Sequence, residues 1–387
     1  MNSFQYLCEH ICYIFNVEDI YIITIVALSV LGAFQLFYWA FFMFRIRKRK
    51  NINDTQHPLS VLICAKNEAF NLEELVPLIF QQKYKEFQVV VVDDCSTDDT
   101  ALRLAELKAK YPDLYYTSIP VDNKFHHGKK LAVTIAIKAA KYEHLVFIDA
   151  DCRPESDLWL RNISEAYTDG KDIVIGYGQY AKTSGFLNFF IRFETFWNAV
   201  QYFGFAAAWR PFMAVGRNLS YTKSLYNQSS KFRNSLNILS GDDDMFVSEM
   251  GTRSNTASCY IPGSHTISEP KHSWKEYMEQ KSRHLTTSPY YHTSIKTMLG
   301  LEILSRQLLI WGAVAAIILG NDVVKIVSAS ILAAREIIMY VSLALAQKRM
   351  GEKGLWPFTL VMDIFVPWIQ AVCWLWCVMS KHRDTWK

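Results

Sequence analysis

Two aspartates, Asp149 and Asp151, stand one residue apart directly after the apolar run "LVFI". Such a run predicts a buried strand that delivers both carboxylates to the edge of a sheet. Paired carboxylates could coordinate Mg²⁺ or Mn²⁺ through oxygen, together with substrate phosphates. Without an ion the two charges would repel each other, and the pKa of one would rise. Aspartates that cap an ordinary turn are the alternative interpretation.

A second acidic pair, Asp93 and Asp94, ends the apolar run "VVVV". A carboxylate there can accept a hydrogen bond from a base or a ribose hydroxyl, or the segment can simply cap the helix expected from Asp98. Gly128 and Lys129 in "FHHGKK" precede another helical pattern. A helix N-terminus with a lysine suits a diphosphate, although the spacing of a P-loop is absent.

Three consecutive acids follow a glycine in "SGDDDMFVSEM". The helix dipole favours acids at a helix N-terminus, but three in a row indicate a functional carboxylate, with Asp242 and Asp243 as candidates. Further along, "QKSRHLTTS" brings Gln280, Arg283 and His284 close together on successive helical positions. Arg283 could counter the charge of a phosphate.

The region from 58 to about 285 alternates strand and helix patterns. The segments "LSVLICAKN", "FQVVVVDD", "LYYTSIP" and "HLVFIDAD" have the pattern of strands, and amphipathic helical patterns lie between them. This order predicts an α/β fold with a mostly parallel sheet. Ligands of such sheets bind beyond the carboxyl ends of the strands, which is where both acidic pairs lie.

Apolar segments long enough to cross a bilayer flank this region on both sides. The first, about 20–44, is followed by the basic "RIRKRK", so the chain after it is expected in the cytosol. Three more are expected at about 298–319, 323–346 and 356–379. Three crossings would leave the basic tail "KHRDTWK" outside, so one alternative is a segment that lies along the membrane. The expected division is an N-terminal anchor segment (1–50), a cytosolic domain (51–292) and C-terminal apolar helices (293–387).

Several charged residues lie inside these C-terminal segments, where a charge is costly unless it is paired or in contact with water. Two interpretations are open for them, namely pairing between helices, or a polar lining for a lipid headgroup or an emerging glycan; the residues are Arg306, Lys325, Arg335, Glu336 and Asp363. The aromatic segment 185–212 is either a core helix or a helix at the bilayer surface. A net charge of +4 over 387 residues is too small to indicate a nucleic-acid partner.

The order of these motifs along the chain resembles that of the membrane-bound glycosyltransferases of family 2. The motifs are the strand-end "DD", "GK", "DAD", "GDD" and "QxxRH", and apolar segments flank them on both sides. That family includes hyaluronan, chitin and cellulose synthases and ceramide glucosyltransferase. The resemblance covers residues 58 to 290. It implies a GT-A fold, which is Rossmann-like, a nucleotide-diphospho-sugar donor that is usually UDP-linked, and Mg²⁺ or Mn²⁺ as cofactor.

The resemblance also implies roles for individual residues. The nucleotide-sugar is expected to contact Ala65, Asn67, Glu68, Asp93 or Asp94, Gly128, Lys129, Asp149, Gln280 and Arg283. Asp149 and Asp151 match the metal ligands, and Asp243 matches the general base, with Asp242 as the competing candidate. Gly216 and Asn218 in "VGRNLSY" match the loop on the acceptor side.

His284 stands where the family's QxxRW motif has a tryptophan that stacks on the acceptor sugar. A histidine offers less surface and ordinarily titrates near neutrality, which disfavours polymerisation but not sugar transfer. The expected function is therefore an inverting, metal-dependent transfer of a sugar to a lipid or lipid-linked glycan. The protein is expected to be integral to the inner (plasma) membrane, with its catalytic domain in the cytosol. The alternatives are a processive polysaccharide synthase that also secretes its product, and an inactive nucleotide-sugar-binding subunit.

Overall fold

A computed structural model describes residues 16–46, 56–120, 128–168, 170–230 and 241–379. The basic residues 47–50 and the C-terminal tail 381–387 lie outside the described residues. The central feature is a seven-stranded sheet in the order β3-β2-β1-β4-β8-β6-β9. Its strands are β1 Leu59–Ala65, β2 Phe87–Asp94, β3 Leu114–Ile119, β4 His144–Phe147, β6 Ile173–Gly176, β8 Leu219–Thr222 and β9 Thr256–Cys259.

The pairing in this sheet is parallel except at β8, which runs antiparallel to both β4 and β6. The predicted α/β fold with a mostly parallel sheet is therefore confirmed. A second sheet in the order β5-β10-β7 adjoins the Asp149–Asp151 loop, because β5 begins directly after Asp151. Its strands are β5 Cys152–Pro154, β7 Gly178–Tyr180 and β10 Thr266–Ser268.

Helices cover both faces of the large sheet, which explains why its central strands are almost uninterrupted apolar runs. One face packs against α2, α3 and α5, and the other against α4 and α6. These helices are α2 Ala69–Phe80, α3 Thr100–Lys110, α4 Lys129–Ala139, α5 Trp159–Ser164 and α6 Phe186–Ala208. The shorter α7 Lys223–Gln228 and α8 Asp244–Met250 follow, and then α9 Trp274–Leu285.

The aromatic segment forms α6, which lies between the sheet and the apolar helices. Phe205 stacks on Phe42 with ring centroids 4.4 Å apart, and Trp197 meets Trp39 at 5.6 Å. A Cβ atom added to Gly204 would lie 2.7 Å from the carbonyl oxygen of Phe42, so only glycine permits this approach. The helix is thus a core element that joins the two parts of the chain.

Four helices are long and apolar enough to cross a membrane. They are α1 Val17–Phe41, which a 3₁₀ turn extends to Arg45, α10 Thr293–Leu319, α11 Asp322–Met350 and α12 Thr359–Met379. The last three overlap the C-terminal segments expected from the sequence. Their lengths agree with the roughly 20 apolar residues that a bilayer requires.

A buried ion cluster joins these helices. Arg306 of α10 lies 3.0 Å from Asp363 of α12 and 3.2 Å from Glu302 on its own helix. Arg335 of α11 also pairs with Asp363, and Gln35 of α1 donates a hydrogen bond to Ser305. The interhelical pairing expected as one alternative is therefore present for Arg306, Arg335 and Asp363.

Helix α12 and the loop before it contact the helices of the sheet domain. The sulfur of Cys373 lies 3.1 Å from that of Met278 in α9, and the ring of Phe358 meets that of Phe189 in α6 at 4.9 Å. In the loop after α11, Glu352 accepts hydrogen bonds from Arg192 and from the hydroxyl of Tyr177, both at 2.8 Å. The apolar helices are thus fastened directly to the sheet domain.

Candidate active site

Lys129 links two of the acidic motifs. It is the first residue of α4, and its ammonium nitrogen lies 2.7 Å from Oδ1 of Asp149, beyond the end of β4, and 3.6 Å from Oδ2 of Asp242. Burial alone would lower the pKa of Lys129, but the two carboxylates outweigh it and raise the pKa well above its usual value. Burial would raise the pKa of Asp149, but the charge of Lys129 holds it below the usual value. Lys129 is therefore a permanent cation and Asp149 a permanent anion.

Asp243 is held in place through both of its carboxylate oxygens. Oδ2 accepts the backbone N–H of Gly216 at 2.6 Å, and Oδ1 accepts that of Asp244 at 2.8 Å. A Cβ atom on residue 216 would lie 2.9 Å from Oδ2, so glycine allows the carboxylate its close approach. Burial, followed by the neighbouring charge of Asp242, raises the pKa of Asp243 to about 6. A carboxylate with that pKa is a stronger base at neutral pH than an ordinary aspartate.

One pocket brings these groups together. Asp149, Lys129, Asp242, Asp243 and Gly216 all line it, and its floor is apolar; the floor residues include Leu62, Val133, Phe147, Leu219 and Tyr221. The side chains come from the loops after β4 and before β8 and from the starts of α4 and α8. This is the carboxyl edge of the parallel strands, where ligands of such sheets bind.

Asp149, Asp151 and Cys152 form a group whose potential ligand atoms all lie within 4.8 Å of one another. The two carboxylates suit a hard ion such as Mg²⁺ or Mn²⁺, whereas a thiol suits softer metals. Burial raises the pKa of Cys152 well above its usual value, so its sulfur stays protonated. The donor set that fits is therefore the pair of aspartates predicted from the sequence.

The expected nucleotide-side residues lie on adjacent loops. Ala65 pairs with Asp93 in the parallel register of β1 and β2. Asn67 has a positive φ of 57° and ties the two loops together, since its N–H donates to Ser96 at 2.8 Å and its side-chain oxygen accepts the N–H of Thr97 at 2.7 Å.

Glu68 faces the aspartate pair. Its carboxylate accepts a hydrogen bond from Asn71 at 2.6 Å. Burial, and after it the charges of Asp151 and Asp149, raise the pKa of Glu68, in keeping with its position near the aspartate pair.

Asp93 and Asp94 are both buried, with 3% and 0% of their surfaces exposed. Asp93 accepts hydrogen bonds from the backbone N–H of Ser96 and the hydroxyl of Ser118, each at 3.2 Å. The contact of either acid with a base stays a prediction. The following helix begins at Thr100 rather than at Asp98, because the side chain of Asp98 accepts the N–H and the hydroxyl of Thr100.

The acceptor role expected of Asn218 does not fit its surroundings. Asn218 is 1% exposed, and its amide group donates to the carbonyls of Tyr177 and Ser264 at 2.9 Å and accepts from Trp159 at 3.1 Å. Its polar atoms are engaged inside the protein, so Asn218 positions the loop that carries Gly216 instead of binding an acceptor.

The three residues expected on α9 differ in their surroundings. Gln280 donates to the hydroxyl of Tyr180 at 3.1 Å, while Arg283 and His284 are exposed. Although part of its surface meets solvent, burial, followed by the charges of Lys281, Arg217 and Arg283, lowers the pKa of His284. A lowered pKa favours the neutral ring at physiological pH, and contact of this ring with an acceptor stays a prediction.

Arg217 is a functional candidate that sequence reasoning missed. It lies in the 3₁₀ turn Gly216–Asn218, its guanidinium stacks 4.8 Å from the ring centre of Tyr180, and it donates to the carbonyl of Gly178 at 2.8 Å. After Lys129, its charge helps to lower the pKa of Asp149, so the guanidinium lies near that carboxylate. Nε has no hydrogen-bond partner among the described residues. The only sequence signal was a lone arginine between Gly216 and Asn218.

Arg153 is a second missed residue, and it fixes the loop of the aspartate pair. Its guanidinium donates to Glu74 at 2.8 Å and to Asn71 at 2.9 Å, both on α2, and to the carbonyl of Ala150 at 3.1 Å. Because Asn71 also donates to Glu68, these contacts connect the loop of the aspartate pair to the start of α2. Neither α2 residue carried a pattern that would have paired it with Arg153.

Comparisons with known proteins agree with this geometry. Residues 60–227 match the model of "Glycosyl transferase family 2". A poly-β-1,6-N-acetyl-D-glucosamine synthase of Staphylococcus aureus is 23% identical over 129 residues, which are 33% of this chain and 30% of that protein. The synthase of the same name from Staphylococcus epidermidis is 27% identical over 99 residues, 26% of this chain and 23% of that protein. The matches thus span less than a third of these relatives' length.

A solved structure shares the fold over nearly the whole chain. It is the structure of the mannosyltransferase PcManGT from Pyrobaculum calidifontis in complex with GDP-Man and Mn²⁺. The two sequences are 18% identical, and the superposition covers 89% of this chain and 99% of PcManGT with a TM-score of 0.53. Residues 60–227 are thus similar in sequence to glycosyltransferase family 2, and the chain shares the GT-A fold of this mannosyltransferase.

Proposed function

We propose that this protein is an inverting, metal-dependent glycosyltransferase that moves a sugar from a nucleotide-diphospho-sugar, in the first instance UDP-linked, to a hydroxyl of a membrane lipid or lipid-linked glycan. The observation that carries the proposal is the single pocket that Asp149, Lys129, Asp242 and Asp243 line together. Asp149 and Asp243, which are 94 positions apart in the chain, converge there on one side of the sheet. An inactive binding subunit would not need a carboxylate positioned as a base.

In this proposal Asp243 takes the proton from the attacking hydroxyl. Its two N–H contacts hold the carboxylate in a fixed orientation, and its pKa of about 6 leaves it mostly deprotonated at neutral pH but still basic. General bases contribute typically ~10²–10⁴-fold to a rate. Attack on the face opposite the leaving diphosphate inverts the anomeric carbon in one displacement.

Asp149 and Asp151 are the residues proposed to hold Mg²⁺ or Mn²⁺. When bound, such an ion would supply a positive charge that stabilises the departing diphosphate. The acids around the pocket outnumber its cations, because three carboxylates line it with one ammonium. Lys129, Arg217 and Arg283 are the chain's own cations on the proposed diphosphate side. PcManGT, which shares the fold, was solved with Mn²⁺.

The membrane arrangement follows from the contacts of the apolar helices. We place α1, α10 and α11 across the bilayer, with residues 51–292 in the cytosol, in keeping with the basic residues that follow α1. Helix α12 contacts both parts of the protein, since Cys373 meets Met278 of the sheet domain and Asp363 pairs with Arg306 and Arg335 of the two spanning helices α10 and α11.

A second candidate function is a processive polysaccharide synthase, favoured by the similarity to poly-β-1,6-N-acetyl-D-glucosamine synthases. The ion cluster argues against a secretion path, because Arg306, Arg335 and Asp363 are paired with one another. The small neutral ring of His284 also offers little surface for stacking a growing chain. Product length separates the two candidates, since a synthase yields a polymer and a single-transfer enzyme yields one added sugar.

The test is a donor screen on purified full-length protein in detergent, with membrane lipid extract, with and without Mn²⁺. The proposal expects release of nucleoside diphosphate and a labelled lipid of one added sugar, both dependent on metal. Asp149→Asn should abolish donor binding, whereas Asp243→Asn should leave it intact. Absence of turnover with every nucleotide-sugar, although the native protein is folded, would refute the enzymatic function.

A further inference from the structure

A second cavity of about 310 Å³ lies beside β9, the last strand of the large sheet, and outside the proposed active site. It opens between α6 and the edge strand β9, beside the cytosolic end of α1. Its walls include Phe203 and Ala207 of α6, Thr256 and Ser258 of β9, and Arg45 at the end of α1. One side of the cavity is thus apolar and the other polar.

The cavity is cationic. Arg45, Lys171 and Arg253 line it, and none of the described residues that form its lining is acidic. Burial, followed by the charge of Arg253, lowers the pKa of Lys171, so the two cations are close enough to repel each other. Such a concentration of positive charge is unfavourable unless an anion offsets it.

The three cations differ in how firmly they are held. Lys171 donates to the carbonyls of Arg253, Ser254 and Thr256 and is fixed in the wall. Arg45 donates to the carbonyl of Phe41 at 2.9 Å and stacks on the ring of that residue at 4.6 Å. The exposed side chain of Arg253 makes no hydrogen bond or ion pair with other residues that the structure describes. Arg253 is therefore available to a ligand.

The cavity is distinct from the catalytic pocket. Lys171 and Arg253 precede the starts of β6 and β9, whereas Asp149 follows the end of β4. Strands β6 and β9 run in the same direction as β4, since β4 and β6 are both antiparallel to β8. The two sites therefore lie at opposite edges of the sheet, and a ligand in the cavity does not reach the reacting atoms.

The position of the cavity relative to the membrane indicates its ligand. Arg45 ends the 3₁₀ turn that follows the 25-residue apolar helix α1, and it lies at the depth of lipid headgroups when α1 spans the bilayer. Arg349 at the end of α11 contacts the carbonyl of Ile46, another residue of the wall, so two apolar helices end here. We propose that the cavity binds the headgroup of an anionic phospholipid of the cytosolic leaflet. Arg45 and Arg253 contact the phosphate of this lipid, and the glycerol and upper acyl chain pack on Phe203 and Ala207. The lipid serves as a fixed anchor for the edge of the sheet, not as the sugar acceptor.

The test uses full-length protein in detergent and measures retained phospholipid by native mass spectrometry, with phosphatidylglycerol or phosphatidylcholine added. The native protein should retain phosphatidylglycerol and not phosphatidylcholine. Arg253→Gln should weaken phosphatidylglycerol binding about fivefold, since a basic residue near an anionic membrane surface contributes about 1 kcal/mol. Arg103→Gln on α3, an exposed arginine at the far end of the sheet, is the matched control and should have no effect.

A second variant tests the apolar wall. Ala207→Phe fills the cavity and should also reduce phosphatidylglycerol binding, while thermal unfolding reports whether the fold is intact. Equal retention of the two lipids, or an unchanged affinity in both variants, would overturn the proposal. Displacement of the lipid by millimolar inorganic phosphate would overturn the lipid as the ligand and leave a free-phosphate site.

Discussion

Replacement of Asp243 by asparagine is the sharpest test of the proposed chemistry. Asparagine has the same shape but cannot accept a proton at neutral pH. It also keeps only one acceptor oxygen for the two N–H groups of Gly216 and Asp244, so its NH₂ group must face one of them. The change therefore removes the base and one of two hydrogen bonds, and it leaves Lys129 and Asp149 in contact.

The expected magnitude follows from these two losses. Without a general base the turnover number should fall by ~10²–10⁴-fold, which is about 2.7–5.4 kcal/mol of barrier at 1.36 kcal/mol per tenfold. The lost hydrogen bond to a charged group should lower the free energy of unfolding by about 1.5–3 kcal/mol. The affinity for the donor should stay within about threefold, because Asp243 lies on the acceptor side of the proposed site.

The assay measures transfer of a radiolabelled sugar to lipid, with donor affinity from calorimetry and unfolding followed in the same detergent. Asp157→Asn is the matched control, since that carboxylate lies on the surface in a pair with Lys83 and away from the pocket. An Asp243→Asn variant that turns over within threefold of the native rate would refute the assignment. The same measurement on Asp242→Asn would then decide whether the neighbouring acid is the base.

Further predictions concern pH, metal, leaving group and membrane helices. The base acts only when it is deprotonated, and the pKa of Asp243 is raised to about 6. In a pH profile at saturating metal, kcat/KM should therefore fall about tenfold per pH unit below pH 6 and level off above pH 6. Asp151→Asn should raise the Mn²⁺ concentration for half-maximal transfer by roughly tenfold to a hundredfold in a metal titration of the purified protein. Arg217→Lys keeps the charge but loses the planar stacking on the tyrosine, so kcat should drop about tenfold in steady-state kinetics. Asp363→Asn removes a carboxylate that pairs with Arg306 and Arg335, and it should lower the free energy of unfolding in detergent by about 3–5 kcal/mol. Glu336→Gln should lower it far less, because the side chain of Glu336 is 25% exposed.

Local patterns were sufficient to predict the framework of the fold. The run "HLVF" forms β4, and its buried residues deliver Asp149 to the carboxyl edge of the sheet, as the alternation of strands and helices predicted. The apolar segments form long helices because their composition requires burial in lipid or protein. These features depend on residues that are neighbours in sequence, so a sequence shows them.

Contacts between distant residues could not be predicted in this way. Arg217 lies near Asp149 although 68 positions separate them in the chain, and its role depends on how the turn after α6 folds over the sheet. The lowered pKa of His284 likewise results first from burial, and then from Lys281 on its own helix and Arg217 on a distant turn. Asn218 matched a motif by letter, but its amide is buried by Trp159 and Tyr177, which no local pattern places beside it.

The junction at Glu352 has a consequence for turnover. Since Arg192 and Tyr177 both bind this carboxylate, the sheet domain is tied at this point to the end of an apolar helix. In the proposed membrane arrangement this contact holds the pocket at a fixed distance from the lipid surface. On the proposed function, a lipid acceptor would therefore reach the pocket by lateral diffusion within its leaflet. Rates in reconstituted bilayers should then follow membrane fluidity, slowing when the acyl chains freeze even though the protein itself is unchanged.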